Sequence, residues 1–515
     1  MLHTFFRPAL LAVSTLLVMA SRGQYTVDWS EAAADINKQG ELAARDSADN
    51  VIVTGYRPSY LGNGHIYTRK YDKYGVLQWE AVDMTGATWK FERPTAIAVT
   101  DAQEIVVVGH EYTGTSNTFP DTAVVIKYGP QGNLLWRTEL GHGYSYGVRG
   151  ALDASGNVYV GMIGVQPPGF TLAKVDGSGN VLFDLSDATY GGTSLSAMRV
   201  RDDRVVMVAG GPGVAHGALS VWDTTGVFLW GADIAGYGAQ DVELDEAGNT
   251  YVLTSFPDQV AQGTAADLVV RKYDAAGDSI AQFSFDFNGA DGATRMVYRD
   301  GRLTTIGWNI QSGSGYMDWI TARIDTAGGL VWSARYNATS TNDERPSWLA
   351  VRDNGEVFVT GQGGPSNGMF LSYVTVKYDA AGAQAWAHTD PYYGGRGMCC
   401  VLGKDSAVYV AGLSAMTVTR YVDQLITSAQ LQAGEEPHFG LFPNPTSGVV
   451  RLSVPSKLRV DRLEVLDQGG RTVKIQPGVL PVEGTLIDLS GLSHGAYMVR
   501  VVHPSGAVVL PVVVE

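Results

Sequence analysis

Lys70-Tyr71-Asp72-Lys73-Tyr74-Gly75, followed by Trp79, is a phrase that this chain repeats. Its form is a basic residue, an aromatic or branched residue, Asp, two variable residues and Gly, with an aromatic four positions further on. It returns as Lys127-Tyr128 with Gly132 and Trp136, and at Asp176/Gly179/Phe183, Asp223/Gly226/Trp230, Asp274/Gly277, Asp325/Gly328/Trp332 and Asp379/Gly382/Trp386. A second phrase alternates with it, an Asp-containing turn and then a β-branched run ending near Gly. That phrase occupies 46–55, 101–109, 153–161, 202–210, 245–254, 300–307, 353–361 and 405–412. A repeat of about fifty residues built only of strands and turns identifies a β-propeller.

The two phrases are unequal in number, eight copies against seven. The last repeat reaches Thr417-Val-Thr-Arg-Tyr421 and stops without its aromatic strand. The missing strand sits at the other end of the chain, in Tyr25-Thr-Val-Asp-Trp29-Ser-Glu31. A ring whose last blade is completed by the N-terminal strand removes two exposed sheet edges. The expected fold is therefore all-β: an eight-bladed propeller over 24–425 with N-terminal strand closure, seven blades being the alternative. In the second blade the strands are expected at 95–100, 105–111, 122–128 and 133–140. Tight Asp/Asn/Gly turns join first to second and third to fourth strands. These turns lack the alternating ligands and final Glu of an EF-hand calcium loop, so a structural role is expected. The aromatic of each fourth strand is expected between adjacent blades, with Ala281 breaking the pattern once.

Bulk properties agree with a large β protein rich in turns. Of 515 residues 63 are Gly, falling at turns, and the net charge of -15 with 17% charged residues offers no clustered Lys and Arg for nucleic acid. At the N-terminus His3 and Arg7 precede an apolar run over 8–20, too short to span a bilayer, which reads as a signal peptide over 1–23. Cleavage fits after Ala20 or before Gln24. No later stretch reaches transmembrane length. Two cysteines occur, as the neighbours Cys399 and Cys400. On an extended strand they point to opposite faces, so two unbridged thiols are expected, a strained vicinal bridge being the alternative.

The Lys-Tyr-Asp-x-x-Gly-x-x-x-Trp phrase resembles the bacterial SBBP-type propeller repeats across nearly all of 40–420. The resemblance implies a propeller without assigned chemistry, often of seven units, where this chain counts eight. After a linker at 426–439 the sequence changes. Phe442-Pro443-Asn444-Pro445, the Asp467-Gln-Gly-Gly-Arg471 turn and Asp488-Leu-Ser-Gly-Leu-Ser-His-Gly495-Ala-Tyr497 follow in order. These motifs look like the C-terminal sorting domain of the type IX secretion system over 440–515, a small β-sandwich. The resemblance implies a Bacteroidota-type bacterium, a partnership with the type IX machinery, and a protein secreted or held on the outer-membrane surface. The end of the chain, 508–515, lacks the terminal lysines often seen in that family.

Within each blade the second-to-third and fourth-to-first connections are long, and strand alternation puts both on one face of the disc. Second-to-third loops are expected at 56–65, 112–121, 256–267, 309–318 and 363–368. Fourth-to-first loops hold 89–93, 144–149, 190–192, 291–295, 342–345 and 392–396. Aromatics, Gly and Asn on rigidly held loops suit recognition. Arginine falls near the start of the innermost strand in six blades, as Arg93, Arg149, Arg199, Arg295, Arg345 and Arg396. In an acidic protein such a ring focuses an anion such as a carboxylated or sulfated glycan, unless the arginines brace loops through Glu92 and Glu344. The candidate ligand-binding set is Arg93, Arg149, Arg295, Arg345, Trp348, Tyr393 and Arg396.

Catalytic signatures are weak. The Gly-x-Ser-x-Gly matches at 143–147 and 364–368 need a strand–turn–helix elbow that a propeller loop does not supply. The nine histidines show no metal-ligand spacing, and no catalytic residue, metal or cofactor is expected. Asp343, Glu344 and Asp390 are the carboxylates on the loop-bearing face that acid–base chemistry would use. Eight blades with a Cys-Cys pair are also similar to quinoprotein alcohol dehydrogenases, against which the Asp-to-Gly spacing and the last-blade cysteines count. The reading is a non-enzymatic exported binding or adhesion module for glycan or protein. An extracellular polysaccharide hydrolase or lyase is the alternative, and a quinoprotein-like dehydrogenase a lesser one.

Overall fold

A computed structural model describes residues 25–515 apart from 34, 36, 58–63, 84–89, 114–121, 142–144, 166–167, 191–193, 211–215, 236–237, 256–266, 312–314, 339–342, 364–371, 391–394, 405, 424–439, 454–459, 468–470, 481–484 and 504–505. The chain divides into two compact units, Met1–Gln424 and Leu425–Glu515.

The first unit holds eight antiparallel sheets of four strands each. Blade one is Gln39–Arg45, Val51–Tyr56, Ile66–Tyr71 and Leu77–Val82. Six more follow in sequence order, and the eighth takes three strands from the end of the unit and one from its beginning. That borrowed strand, Tyr25–Glu31, pairs antiparallel with Val418–Asp423, setting Val27 opposite Tyr421 and Trp29 opposite Arg420. Innermost strands touch their neighbours all the way round, and Gly397–Leu402 of blade eight meets Gln39–Arg45 of blade one. The wheel therefore has eight blades and is closed.

Middle strands are buried on both faces, which is why they read as unbroken Val, Ile and Tyr runs. Ile52 and Ile66 of blade one share a core with Ile105, Val107, Val124 and Ile126 of blade two, so apolar clusters lie between sheets. The repeated phrase is explained at these junctions. Trp79 Nε1 donates to Pro130 O at 3.0 Å, Trp136 to Gly177 O at 3.0 Å and Trp332 to Ala380 O at 3.2 Å. Each acceptor is the second residue of the next blade's Asp-x-x-Gly or Gly-x-x-Gly turn. The turn's last glycine lies on the indole: a Cβ added at Gly132 would come within 2.5 Å of Trp79, and φ there is +83°. Trp29 treats Gly75 and Lys73 O in the same way, so the closing junction is one more copy of the others. Ala281 does break the pattern, but Phe283, two residues on and on the same face of the strand, lies under Gly328 in its place. The turn aspartates are occupied within the turns. Asp72 Oδ1 accepts the Tyr74 and Val76 N–H groups at 2.9 Å, and Asp176, Asp274 and Asp379 do likewise.

Every innermost strand carries a register shift. The breaks fall between Gly40 and Leu42, Pro94 and Ala96, Tyr146 and Arg149, Leu195 and Ala197, Ala239 and Asp241, Ala293 and Arg295, Pro346 and Trp348, and Gly397 and Cys399. Each is a β-bulge, in which one extra residue re-aims the strand and its side chains. The inner strand of blade two also starts earlier than the sequence suggests, running Lys90–Val99, because Lys90, Phe91 and Glu92 continue the ladder opposite Thr113, Tyr112 and Glu111.

The second unit is two sheets, Gly440–Phe442 with Val449–Ser453 and Thr485–Asp488, and Thr472–Leu480 with Val460–Leu466, Gly495–His503 and Gly506–Val514. Val450, Leu463, Val499, Val501 and Val512 fill its core. Asn444 of the Phe-Pro-Asn-Pro motif clamps the last strand, accepting from Val513 N and donating to Pro511 O, each at 2.8 Å. Asp467 Oδ1 accepts Arg471 N, and Tyr497 Oη donates to Ser493 O.

The glycine–indole contact sets a comparison. Gly301 also has positive φ but nothing within 4 Å of an added Cβ. Gly301→Ala should therefore cost about 1 kcal/mol, for the left-handed backbone alone. Gly132→Ala adds overlap with Trp79 and should cost about 2–4 kcal/mol, read as the difference in urea midpoints of the two variants. Equal midpoints would remove the indole from the account.

Candidate functional site

Inner strands run from the face of long connections toward the face of tight turns, so a residue's offset from its bulge gives its depth in the central channel. The arginines separate into three levels. Arg93, Arg345 and Arg396 stand two residues before the extra residue, nearest the mouth. Arg149 and Arg295 are the first paired residues after it, and Arg199 lies two further down. Distance to the following Asp turn obscures this order because blade four makes that turn with Asp202-Asp203 alone between Arg201 and Arg204.

A cavity of about 730 Å³ opens at this depth, lined by Arg93, Arg149, Arg199, Arg295 and Trp348 together with Glu41, His110 and Asp241. Arg345 and Arg396 are outside its lining. Tyr393 lies outside the described residues, as do large parts of the long connections named above. Arg93 is braced, though by Glu41 of blade one rather than by Glu92: Nη2 donates at 2.6 Å and Nε at 3.0 Å. Arg345 reaches Asp343 at 3.5 Å and is half-exposed, while Glu344 is buried and accepts the Ala338 N–H at 2.9 Å. The expected braces through Glu92 and Glu344 are thus replaced by other carboxylates: Glu92 is buried within the longer blade-two strand, and Glu344 is buried just before the blade-seven strand, its N–H donating to Met317 O.

Arg199 donates Nε to Glu243 and Nη2 to Asp241, both at 2.9 Å. Burial opposes its charge, but Asp241 and then Glu243 hold its pKa above the ordinary arginine value. Among the described residues Arg149 donates to main-chain oxygens alone, Ser196 O from Nε and Val148 O from Nη1. Burial, followed by the charge of Arg295, pushes its pKa down to about 10. Arg295 lies flat on Trp348, guanidinium to ring centre 3.3 Å, with its Nε buried and unpartnered. Burial also holds Arg396 below the usual range, with Arg93 and Arg345 adding to the effect. His110, opposite Arg93 in the ladder, is pushed down to about 4 by burial and then by Arg93 and Arg149, so it is neutral at neutral pH. Glu41, His110, Asp241 and Glu243 escaped the sequence reading; their signal was position, on the strands beside the arginines, and only the bulges bring them together.

Glu92 belongs to a different centre. It is buried with Asp83 and Glu111 around Arg137, which donates to Asp83 at 2.9 Å and to Glu111 at 2.8 Å. Burial, then Asp83, pushes the Glu92 carboxyl up to about 8. A second acidic group, Asp267, Asp286 and Asp291, brings carboxylate oxygens within 4.8 Å of one another. Asp291 there accepts from Phe287 N and Asn309 Nδ2, and Asp286 from Asn288 N. The cysteine thiols turn to opposite neighbours, Cys399 Sγ toward Ala43 O of blade one and Cys400 Sγ toward Phe358 O of blade seven, and both are free. Ser145 opens a β-strand rather than a nucleophile elbow, and the second such motif, 364–368, lies outside the described residues.

The chain is thus a closed eight-bladed propeller with a charged central cavity, followed by a small β-sandwich. Residues 440–515 match the secretion system C-terminal sorting domain. The protein is accordingly a secreted or surface-held protein of a Gram-negative bacterium that engages the type IX machinery. No helix among the described residues is long and apolar enough to cross a membrane. No curated protein matches. Among solved structures it is similar to the Dos1 propeller, at 10% identity and TM-score 0.47, covering 77% of this chain and 95% of that one. A catalytically inactive variant of virginiamycin B lyase from Staphylococcus aureus, solved with quinupristin, gives 8% and 0.41, covering 78% and 99%. The hydrazine synthase of Kuenenia stuttgartiensis gives 11% and 0.40, covering 64% and 93%.

The Glu92 centre gives a pH dependence. Its carboxyl ionises near 4.5 when exposed and near 8 in the fold, so the folded chain holds the extra proton between those values. Stability should fall as pH rises through that window and level off above it, by roughly 2–4 kcal/mol in total. Glu92→Gln should flatten the fall in denaturation midpoints measured at about pH 5, 6.5 and 8. A variant with the wild-type slope would place the proton elsewhere.

Proposed function

We propose that the mature protein is a non-enzymatic binding or adhesion module, and that its ligand, a glycan or a protein, is engaged at the channel mouth on the face of long connections. The observation that carries this reading is the cavity itself. Its charged walls stand on inner strands locked into a closed ring, so the site is formed before a ligand arrives, as tight recognition requires. Arg93, Arg149, Arg295 and Trp348 are the proposed contacts within it, and Arg345, Tyr393 and Arg396 those of the rim above.

The polysaccharide-cleaving alternative draws less support. Of its three carboxylates, Glu344 is fully buried on a main-chain N–H, and Asp390 is buried and accepts from Thr419 Oγ1. Asp343 is the half-exposed one and it faces Arg345. General acid–base hydrolysis needs two carboxylates facing the same bond. Opposed thiols likewise give no support to a vicinal bridge beside a quinone. To the same proposal belong the SBBP-type assignment of the repeat, and the division into signal peptide 1–23, propeller 24–425, linker 426–439 and sorting domain 440–515.

The purified mature chain, screened on a glycan array and then incubated with each retained glycan, tests the reading. Retention without new reducing ends is the expected result. Release of reducing ends or unsaturated products from a retained glycan would replace the binder with an enzyme.

A further inference from the structure

Arg149 and Arg295 occupy the same position in blades three and six, the first pair after the bulge, and so face the channel at one level. Four guanidiniums and three carboxylates meet around the cavity, Arg93, Arg149, Arg199 and Arg295 against Glu41, Asp241 and Glu243. Glu41 answers Arg93, and Asp241 and Glu243 answer Arg199. Among the described residues no carboxylate lies within ion-pair distance of Arg149 or Arg295. The donors left over are directional. Arg149 makes its two bonds through Nε and Nη1, while Arg295 has its plane fixed by Trp348 and its Nε buried without an acceptor. Two buried guanidiniums, Arg149 opposed by burial and then by the charge of Arg295, and Arg295 opposed by burial and by Arg199 against the nearby Asp241, each keep idle N–H groups that can take a further acceptor of opposite charge.

We infer that Arg149 and Arg295 form a clamp for one acidic group, and that the group is a carboxylate or sulfate ester on a sugar unit entering the channel. This rests on the channel mouth being a binding site, as proposed above. Both anions supply the paired oxygens that planar guanidinium forks recognise. The sugar is favoured over a peptide by the rest of the wall. The extra residues of the bulges put Thr95, Ser196, Gln240 and Thr294 round the cavity, short hydroxyl and amide groups spaced for ring hydroxyls, and about 730 Å³ accommodates a few sugar units. Asp241 is held away from the ligand by Arg199 and by the Met296 N–H, which donates to its Oδ2 at 2.9 Å.

The test is titration calorimetry on the full mature chain with an oligogalacturonate, a sulfated oligosaccharide, a neutral oligosaccharide of equal length and an acidic peptide. One or both acidic saccharides should bind and the neutral one should not; whichever binds identifies the anion. Arg149→Gln and Arg295→Gln should each weaken that binding about ten-fold or more. Lys73→Gln, an equal charge loss on the tight-turn face, should leave it unchanged. Should either arginine variant lose its melting transition, sulfate displacing the saccharide from the wild-type chain, compared with chloride at equal ionic strength, serves instead. Undiminished binding by both arginine variants, equal binding of the neutral saccharide, failure of sulfate to compete, or binding of the peptide alone overturns the clamp and leaves the binding module standing. Cleavage of a bound acidic saccharide would do the reverse, removing the non-enzymatic reading and keeping the clamp.

Discussion

At seven of the eight junctions a blade of this protein is tied to the next by an aromatic ring that slides under a glycine and, where it is Trp29, Trp79, Trp136 or Trp332, hands its N–H to the neighbouring turn's carbonyl, while at the junction of blades seven and eight Trp386 packs on Tyr421 instead. Everything else in the wheel depends on that contact. It fixes the spacing between sheets, so the middle strands can be apolar on both faces. It requires the turn to approach within a distance that no Cβ tolerates, which accounts for glycine in the repeat. It also leaves the inner strands close enough to touch their neighbours around the whole ring, and so builds the channel. Lysines on third strands reinforce the tie: Lys127 Nζ donates to Gly177 O at 3.0 Å, the carbonyl that Trp136 also uses.

The parts of this arrangement that were legible in the sequence are those that repeat. Trp, Asp and Gly recur at one spacing because one junction recurs, and Trp29 announced its distant partner by keeping that spacing across the chain ends. Phe283 was not legible, since it replaces the indole from two positions away and only the alternation of strand faces makes it equivalent. The bulges were wholly hidden. They insert Glu41, Thr95, Ser196, Gln240, Thr294, Ser347 and Met398, which share no single residue type, into strands whose lengths also differ. Without them the arginines appear as one ragged ring. With them they become a mouth level, a middle level and a floor, and the pairing of Arg93 with Glu41 instead of the adjacent Glu92 follows.

Charge is distributed against the average of the molecule. A chain with net charge -15 keeps a cationic excess at its axis and places buried acids, Asp83, Glu92 and Glu111, around Arg137 between blades one and two. The Arg137 centre is buried between blades, so charges there interact far more strongly than those on the rim. One guanidinium cannot balance three carboxylates, and burial with the charge of Asp83 raises the Glu92 carboxyl to about 8, so that it keeps its proton at neutral pH; at the axis the guanidiniums outnumber the carboxylates that pair with them.

The closing strand has a mechanical side. Val418–Asp423 is the last strand of the wheel before the segment that leads to the sorting domain, and it is hydrogen-bonded on both flanks, to Val408–Gly412 and to Tyr25–Glu31. Any tension reaching this strand is therefore shared by two ladders, with the Asp28–Arg420 ion pair across one of them. Because the other flank is the very first strand, the earliest and latest segments of the propeller to be made share that load. Freeing the last strand of the wheel means parting both ladders, and so also releasing the strand that closes the ring.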